Sequence, residues 1–199
     1  MEPATLGMTD HARHTDWAAT VQAPDDDAIV ARVLAGDAHA FRVLVERHYP
    51  RALRYAMRML GNRADAEDAL QDAFARAYRS LARYERRDRF GSWLLSIVVN
   101  RCRTSGTRRE RRERTFVPYD AMEDFEPGTD DASAASRVEV QRALALLSEE
   151  EREALLLKYL DEHTYEDMAV LTGDGVSALK MRVKRARERL QALLGRHYA

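Results

Sequence analysis

Residues 64–114 read ADAEDALQDAFARAYRSLARYERRDRFGSWLLSIVVNRCRTSGTRRERRER, and this stretch decides the fold. It has three parts. An acidic start, Asp65-Ala66-Glu67-Asp68, leads into a long periodic run. A basic loop follows, Arg83-Tyr84-Glu85-Arg86-Arg87-Asp88-Arg89. The third part opens with Phe90 and Trp93 and ends in a basic run. In the first part Ala66, Ala69, Leu70, Ala73, Phe74, Ala77 and Leu81 fall on one face of a helix, which predicts a core-facing stripe. Asp65, Asp68 and Asp72 share another face. Acidic residues in a first turn suit the positive end of the helix dipole, which accounts for Asp65 and Glu67. Asp72 lies deeper, where Arg76 at i+4 offers a partner.

Wound as a helix, Phe90 to Arg103 separates into two sectors. Leu94, Leu95, Val98, Val99 and Cys102 are apolar. Ser92, Ser96, Asn100 and Arg103 form a polar stripe with Trp93 at its edge. One reading is a core tryptophan beside a solvated face. The other is a single-stranded nucleic-acid surface, because aromatics stack on bases, arginines track phosphates and an amide reads a base edge.

Working outward, the chain has 199 residues, room for one large or two small domains. Helical periods recur and strand-type alternation is rare, which predicts an all-α protein. The net charge of −1 conceals an asymmetry. Residues 28–115 hold 20 Arg against 10 acidic residues, a net +10, while 1–27 carry −5, 116–135 carry −6 and 136–199 balance. The cations are arginines apart from Lys158, Lys180 and Lys184. The single cysteine, Cys102, excludes an internal disulfide and falls where a small buried hydrophobe belongs. No run approaches the ~18 apolar residues of a membrane span, and the polar, acidic start is not a signal peptide. The expected location is the cytoplasm, with no membrane insertion.

Residues 1–27 read as a disordered acidic tail, and Met1 or Met8 could be the start. His11 and His14 lack a third ligand, so no metal is expected. The first helix is expected from Asp27, closing at Gly36, with Asp37 capping the next. Phe41, Leu44, Val45 and His48 share a face of that helix, where His48 reads as packing. Pro50 predicts a break or kink, and Gly61-Asn62 a helix end. Gly106 predicts a frayed or broken helix within the arginine run 101–114, whose place suits phosphate contact.

Residues 116–135 carry Pro118, Pro127, Gly128 and six acids without a helical period, and read as a linker. The second module, 136–199, opens with a capping-box pattern at Ser136 to Glu139, followed by Val140, Leu144 and Leu147 on one face. A second box begins at Ser148, with Leu155, Leu156 and Tyr159 expected inward. Thr164 starts a short helix, and Thr172 to Gly175 form a turn. The last helix sets Val176, Leu179, Val183, Ala186, Leu190, Leu193 and Leu194 in one sector, with Lys180, Arg182, Lys184, Arg185, Arg187 and Arg189 around the rest. That is a helix-turn-helix suited to a major groove.

The pattern DAEDALQDAF…YRSL…Y…F.SWL..IVVN resembles region 2 of bacterial sigma factors of the extracytoplasmic-function group. LSEEEREALLLKYLDEHTYEDMA…LKMRVKRARERL resembles region 4 of the same group, in the same order and spacing. The resemblance implies two small helical domains, 28–115 and 136–199. It implies a non-catalytic protein, without cofactor, that binds core RNA polymerase through its β′ and β subunits. It further implies promoter recognition at −10 and −35 elements, DNA melting, and a stress or envelope-signal regulon. A separate anti-sigma factor is an expected partner, and the linker would thread along the polymerase near the RNA path. Asp65, Glu67, Asp68, Gln71 and Phe74 match the polymerase-gripping segment. Tyr84, Arg86, Arg87, Arg89, Trp93, Ser96, Asn100 and Arg103 match the −10 reader. Ser177, Lys180, Met181, Arg182, Lys184, Arg185 and Arg187 match the −35 recognition helix.

This chain departs from the group where the turn is polar, at Thr172 and Asp174, and where it carries Ala178 and Met181. Met181 is expected to point outward, as a tolerated surface methionine or as a contact for a thymine methyl. Two other classes compete. A conventional helix-turn-helix regulator would bind duplex DNA alone, usually as a dimer. A metal-dependent phosphodiesterase would use Asp65, Asp68 and Asp72.

Overall fold

The computed structural model describes residues 25–85, 89–112, 134–160 and 162–195, with backbone alone at 106–112 and 134–137. Among them are eight α-helices and no strand. The first unit holds α1 (Asp26–Leu34), α2 (Phe41–Leu60), α3 (Arg63–Ser80) and α4 (Phe90–Arg112); the second holds α5 (Ala134–Ala145), α6 (Glu149–Tyr159), α7 (Tyr165–Thr172) and α8 (Val176–Gly195).

Capping chemistry sets most of the boundaries. The Asp25 carboxylate accepts from the Ala28 N–H at 2.6 Å, so α1 starts within the segment read as tail. Asp37 caps as expected, but over a 3₁₀ turn, Ala38–Ala40, that runs into α2. The expected break at Pro50 does not occur. Pro50 is exposed inside a continuous α2, where the carbonyl it leaves unpaired can meet water. Gly61 ends α2 in the left-handed conformation (φ 81°), its N–H bonding Met57 O. Asn62 then caps α3, accepting from the Asp65 N–H at 2.8 Å.

The backbone is also helical through Gly106, whose ~1 kcal/mol cost relative to alanine is too small to end α4. It is helical again from Ala134, ahead of the expected box at Ser136. Apart from Ala134 and Ala135, the linker lies outside the described residues, as do residues 1–24 of the tail.

In the first unit every residue of the α3 stripe, from Ala66 to Leu81, is buried. It packs on α2 and on Leu94, Leu95, Val98, Val99 and Cys102 of α4, all buried. Burial pushes the Cys102 thiol up to about 12, as expected for a packing residue. Gly91 lets the first turn of α4 reach α2, since a Cβ there would meet His48 Cε1 at 3.2 Å. His48 packs at 5.3 Å from the Phe90 ring, and its Nε2 donates to Asp26 at 2.8 Å, a polar role its place on an apolar face had hidden.

The second unit is smaller and relies on caps. Ser148–Glu151 and Thr164–Asp167 both form complete capping boxes, the latter holding the Asp167 carboxyl below its usual range through bonds from Thr164. Leu155, Leu156, Leu157, Met168, Leu171, Leu179, Val183 and Ala186 make its core. Tyr159, expected inward, is 55% exposed, at the last residue of α6.

Candidate nucleic-acid and partner interfaces

The acidic face of α3 presents Asp68 and Gln71 to solvent. Asp65 is partly buried, bonded to the Asn62 side chain that caps its helix. Glu67 pairs with Arg63 at 2.8 Å. Asp72 pairs with Arg101 of α4 rather than with Arg76. Asp65, Glu67 and Asp72 thus each have a structural reason of their own. Phe74 does not belong to this surface: it is 7% exposed and stacked on Tyr49 at 6.2 Å. Its spacing had already put it in the apolar stripe.

The proposed −10 face is built on α4 and the loop before it. Tyr84, Phe90 and Trp93 form an aromatic cluster with centroids 5.3–5.6 Å apart. Tyr84 is 7% exposed. Its hydroxyl donates to Asp27 at 2.7 Å and accepts from the Arg89 N–H at 3.2 Å, so it pins the loop to α1. Trp93 is half-buried, packed on the core with an edge in solvent, a position between the two readings of the sequence. The Ser96 hydroxyl donates to Trp93 O at 2.6 Å, which spends it within the helix. Asn100 is exposed, as is Arg89. Arg86 and Arg87 lie outside the described residues.

Arg103 departs furthest from expectation. Its guanidinium forks onto both oxygens of Glu153 on α6, at 2.6 and 2.6 Å. Glu153 is 2% exposed, and this bidentate bond holds the Arg103 pKa above its ordinary value. Arg103 is therefore tied to the second unit. No periodicity could reveal this, because its partner lies 50 positions away in the chain.

The recognition helix behaves as its helical pattern predicts. Ser177, Lys180, Lys184, Arg185 and Arg187 are exposed, and Met181 is 48% exposed. Met181, Arg182 and Arg185 line a groove of ≈ 710 Å³ beside the start of α6. Lys180 lies over the Tyr165 ring at 5.6 Å. Arg182 turns inward to Asp174 at 2.5 Å.

The polar turn is internally satisfied. Gly173 takes the left-handed conformation (φ 79°), and Thr172 Oγ1 donates to Met168 O and accepts from the Asp174 N–H. Thr172 and Asp174 thus build the turn that their polarity had put in question. Among the described residues no group of three His, Cys, Asp or Glu could hold a metal, and no helix is long and apolar enough to cross a membrane.

Comparison with known proteins agrees with this geometry. The family described as sigma-70 region 2 matches residues 44–113, and sigma-70 region 4 matches residues 137–190. The chain is 36% identical over 171 residues to the ECF RNA polymerase sigma factor SigM of Mycobacterium tuberculosis, covering 85% of each chain. It is 34% identical to the RNA polymerase sigma factor CarQ of Myxococcus xanthus, covering 80% of this chain and 92% of that one. Among solved structures, it resembles the sigma factor RpoE in complex with the anti-sigma factor NepR from Bartonella quintana. The TM-score is 0.66 at 28% identity, covering 78% of this chain and 96% of the other. CnrH in complex with the cytosolic domain of CnrY gives 0.63 at 26% identity, covering 86% and 98%.

Proposed function

The chain belongs to the extracytoplasmic-function group of sigma-70 sigma factors, and from that premise we propose how its surfaces divide the work of transcription initiation. The α3 face carrying Asp68 and Gln71, with Asp65 and Glu67 at its edge, docks on the β′ subunit of core RNA polymerase. The exposed edge of Trp93 and the Asn100 amide meet the unstacked −10 strand, with Arg89 and the loop arginines Arg86 and Arg87 along its phosphates. On α8, Lys180, Met181, Lys184, Arg185 and Arg187, opening at Ser177, enter the major groove of the −35 element. Residues 28–115 and 136–199 act as the two promoter-binding units, and the protein works in the cytoplasm beside polymerase. A stress or envelope-signal regulon and a separate anti-sigma factor complete the reading. RpoE, which this fold resembles, was captured with the anti-sigma factor NepR, and CnrH with the cytosolic domain of CnrY.

The observation that carries the proposal is the pairing of two dissimilar surfaces on one chain: an acidic stripe with two exposed members, and a separate helix-turn-helix with outward cations. A conventional helix-turn-helix regulator explains only the second. Footprinting separates them. Protection of both elements should require core polymerase and vanish without it, whereas protection of a palindrome by the chain alone would make it a conventional regulator.

A further inference from the structure

The first turn of α1 carries Asp26 and Asp27, and the helix dipole accounts for their sign. It does not account for what they hold. Asp26 accepts from Arg47 at 2.6 Å and from His48 at 2.8 Å, both on α2. Those two bonds fix the start of α1 against α2. Asp27, half-buried beside it, accepts from the Tyr84 hydroxyl at 2.7 Å, 57 positions along the chain. The oxygen of that hydroxyl accepts in turn from the Arg89 N–H at 3.2 Å. The Arg89 carbonyl accepts from the Trp93 N–H at 3.0 Å, in the first turn of α4. The Tyr84 ring lies 5.3 Å from that of Trp93. Phe90, against which His48 packs, lies 5.6 Å from it.

A short relay therefore runs from a carboxylate of α1 to an indole with an edge in solvent. Packing alone would be met by phenylalanine at position 84, because Tyr84 is buried. A buried hydroxyl is costly unless bonded, so its use lies in the bonds to Asp27 and Arg89. A carboxylate repels phosphate, so any service of Asp27 to a nucleic-acid face runs through Tyr84.

We propose that Asp27 is a positioning residue for −10 recognition, fixing the Arg89 backbone and the Trp93 ring through the Tyr84 hydroxyl in the arrangement that meets the unstacked strand. The proposal rests on the assignment of Trp93 and Arg89 to that strand. Holding both in place before DNA arrives removes an ordering cost from the binding step. Without the bond, Trp93 and Arg89 sample other arrangements. A matched strand uses the fixed geometry and loses more than a mismatched one. Discrimination between sequences, rather than affinity for nucleic acid in general, depends on Asp27.

The test uses holoenzyme assembled from core polymerase and the full chain. Tyr84→Phe keeps the ring and removes the hydroxyl; Asp27→Ala removes the acceptor. Competition between a preferred single-stranded −10 oligonucleotide and its single-base variants should show discrimination reduced roughly 3–10-fold by either substitution. The double variant should lose no more than either single one, because both break the same bond. Affinity for a scrambled strand and for core polymerase should stay at the wild-type level, a split that a general loss of folding would not give. Should Tyr84→Phe fail to fold by circular dichroism, Asp27→Ala, at a half-buried position, carries the test alone. Wild-type discrimination in a folded single variant, additive losses in the double variant, or an equal loss on the scrambled strand overturns the proposal. A wild-type holoenzyme with no preference among the strands overturns the −10 assignment itself, and the proposal with it.

Discussion

The two helices proposed to face DNA, α4 and α8, carry similar chemistry and use it differently. On α8 the apolar sector turns inward and most cations turn outward, while Arg182 folds back onto Asp174 of the turn and Arg189 reaches Glu151 of α6 at 3.2 Å. On α4 the polar sector is divided. Asn100 remains exposed, while Ser96 bonds its own helix and Arg103 bonds the opposite unit. Periodicity identifies a face but not what the face meets. Where a helix has one packed side, as α8 does, the remaining side is free by elimination. Where a helix is packed by its own unit and by another, as α4 is, polar residues can serve as internal contacts.

The largest expected effect tests whether the two units form one cooperative body. Phe90→Ala in the first unit should cost about 3–5 kcal/mol, and Leu179→Ala in the second about 2–5 kcal/mol, by urea denaturation. Both side chains are essentially fully buried. With the units packed together, either substitution should shift a single shared transition. Two separate transitions, only one of them moving, would show that the units melt independently.

Arg103→Ala comes next. It strands the buried Glu153 carboxylate, and breaking a fully buried pair costs about 3–5 kcal/mol. Because the Arg103 side chain is 34% exposed, water screens part of that loss. The expectation is about 1–3 kcal/mol of stability in the same denaturation series, with Arg101→Ala costing less because Asp72 is 60% exposed. Equal costs would remove any special standing for the Arg103 contact.

Asn100→Ala should leave stability within about 0.5 kcal/mol, as surface changes do. It should weaken discrimination at one −10 position by about 1–3 kcal/mol. Competition among single-stranded −10 variants with holoenzyme measures this, and an unchanged preference order would return Asn100 to the solvated face. Met181→Ser should have the smallest effect, under about 1 kcal/mol of altered preference at one or two −35 positions. A promoter library randomised across that element reads it out, with Arg185→Ala expected to lose more because a charged donor goes with it.

These differences also show what the chain made legible. The α3 stripe, the capping box at Ser148, the helix start at Thr164, the inward and outward sides of α8 and the burial of Cys102 all follow from spacing and local chemistry, which sequence carries directly, whereas α5 begins at Ala134, ahead of the box expected at Ser136. Pro50 and Gly106 misled because their penalties are local, while long helices gain from packing along their whole length. The binding roles of Tyr84 and Phe74 come from the resemblance to region 2, although spacing already puts Phe74 in the apolar stripe. Their burial depends on Asp27 and Tyr49, in elements the local pattern does not include. The Arg103–Glu153 contact joins the two units and left no local trace. Asn62 could have been found: an asparagine three positions before an acid at a helix start is a capping signal.

The central claim is that this chain directs core polymerase to promoters, and run-off transcription tests it most directly. Core polymerase is incubated with promoter templates from the chain's own genome, with and without the protein, and with Asp68→Arg as the interface control. The account predicts discrete run-off products that require the wild-type chain. Asp68→Arg should reduce them in step with weakened co-purification, because it sets a cation against the basic surface expected of the polymerase. Products of equal yield with and without the protein, or full activity from an Asp68→Arg chain that no longer binds core, would contradict it.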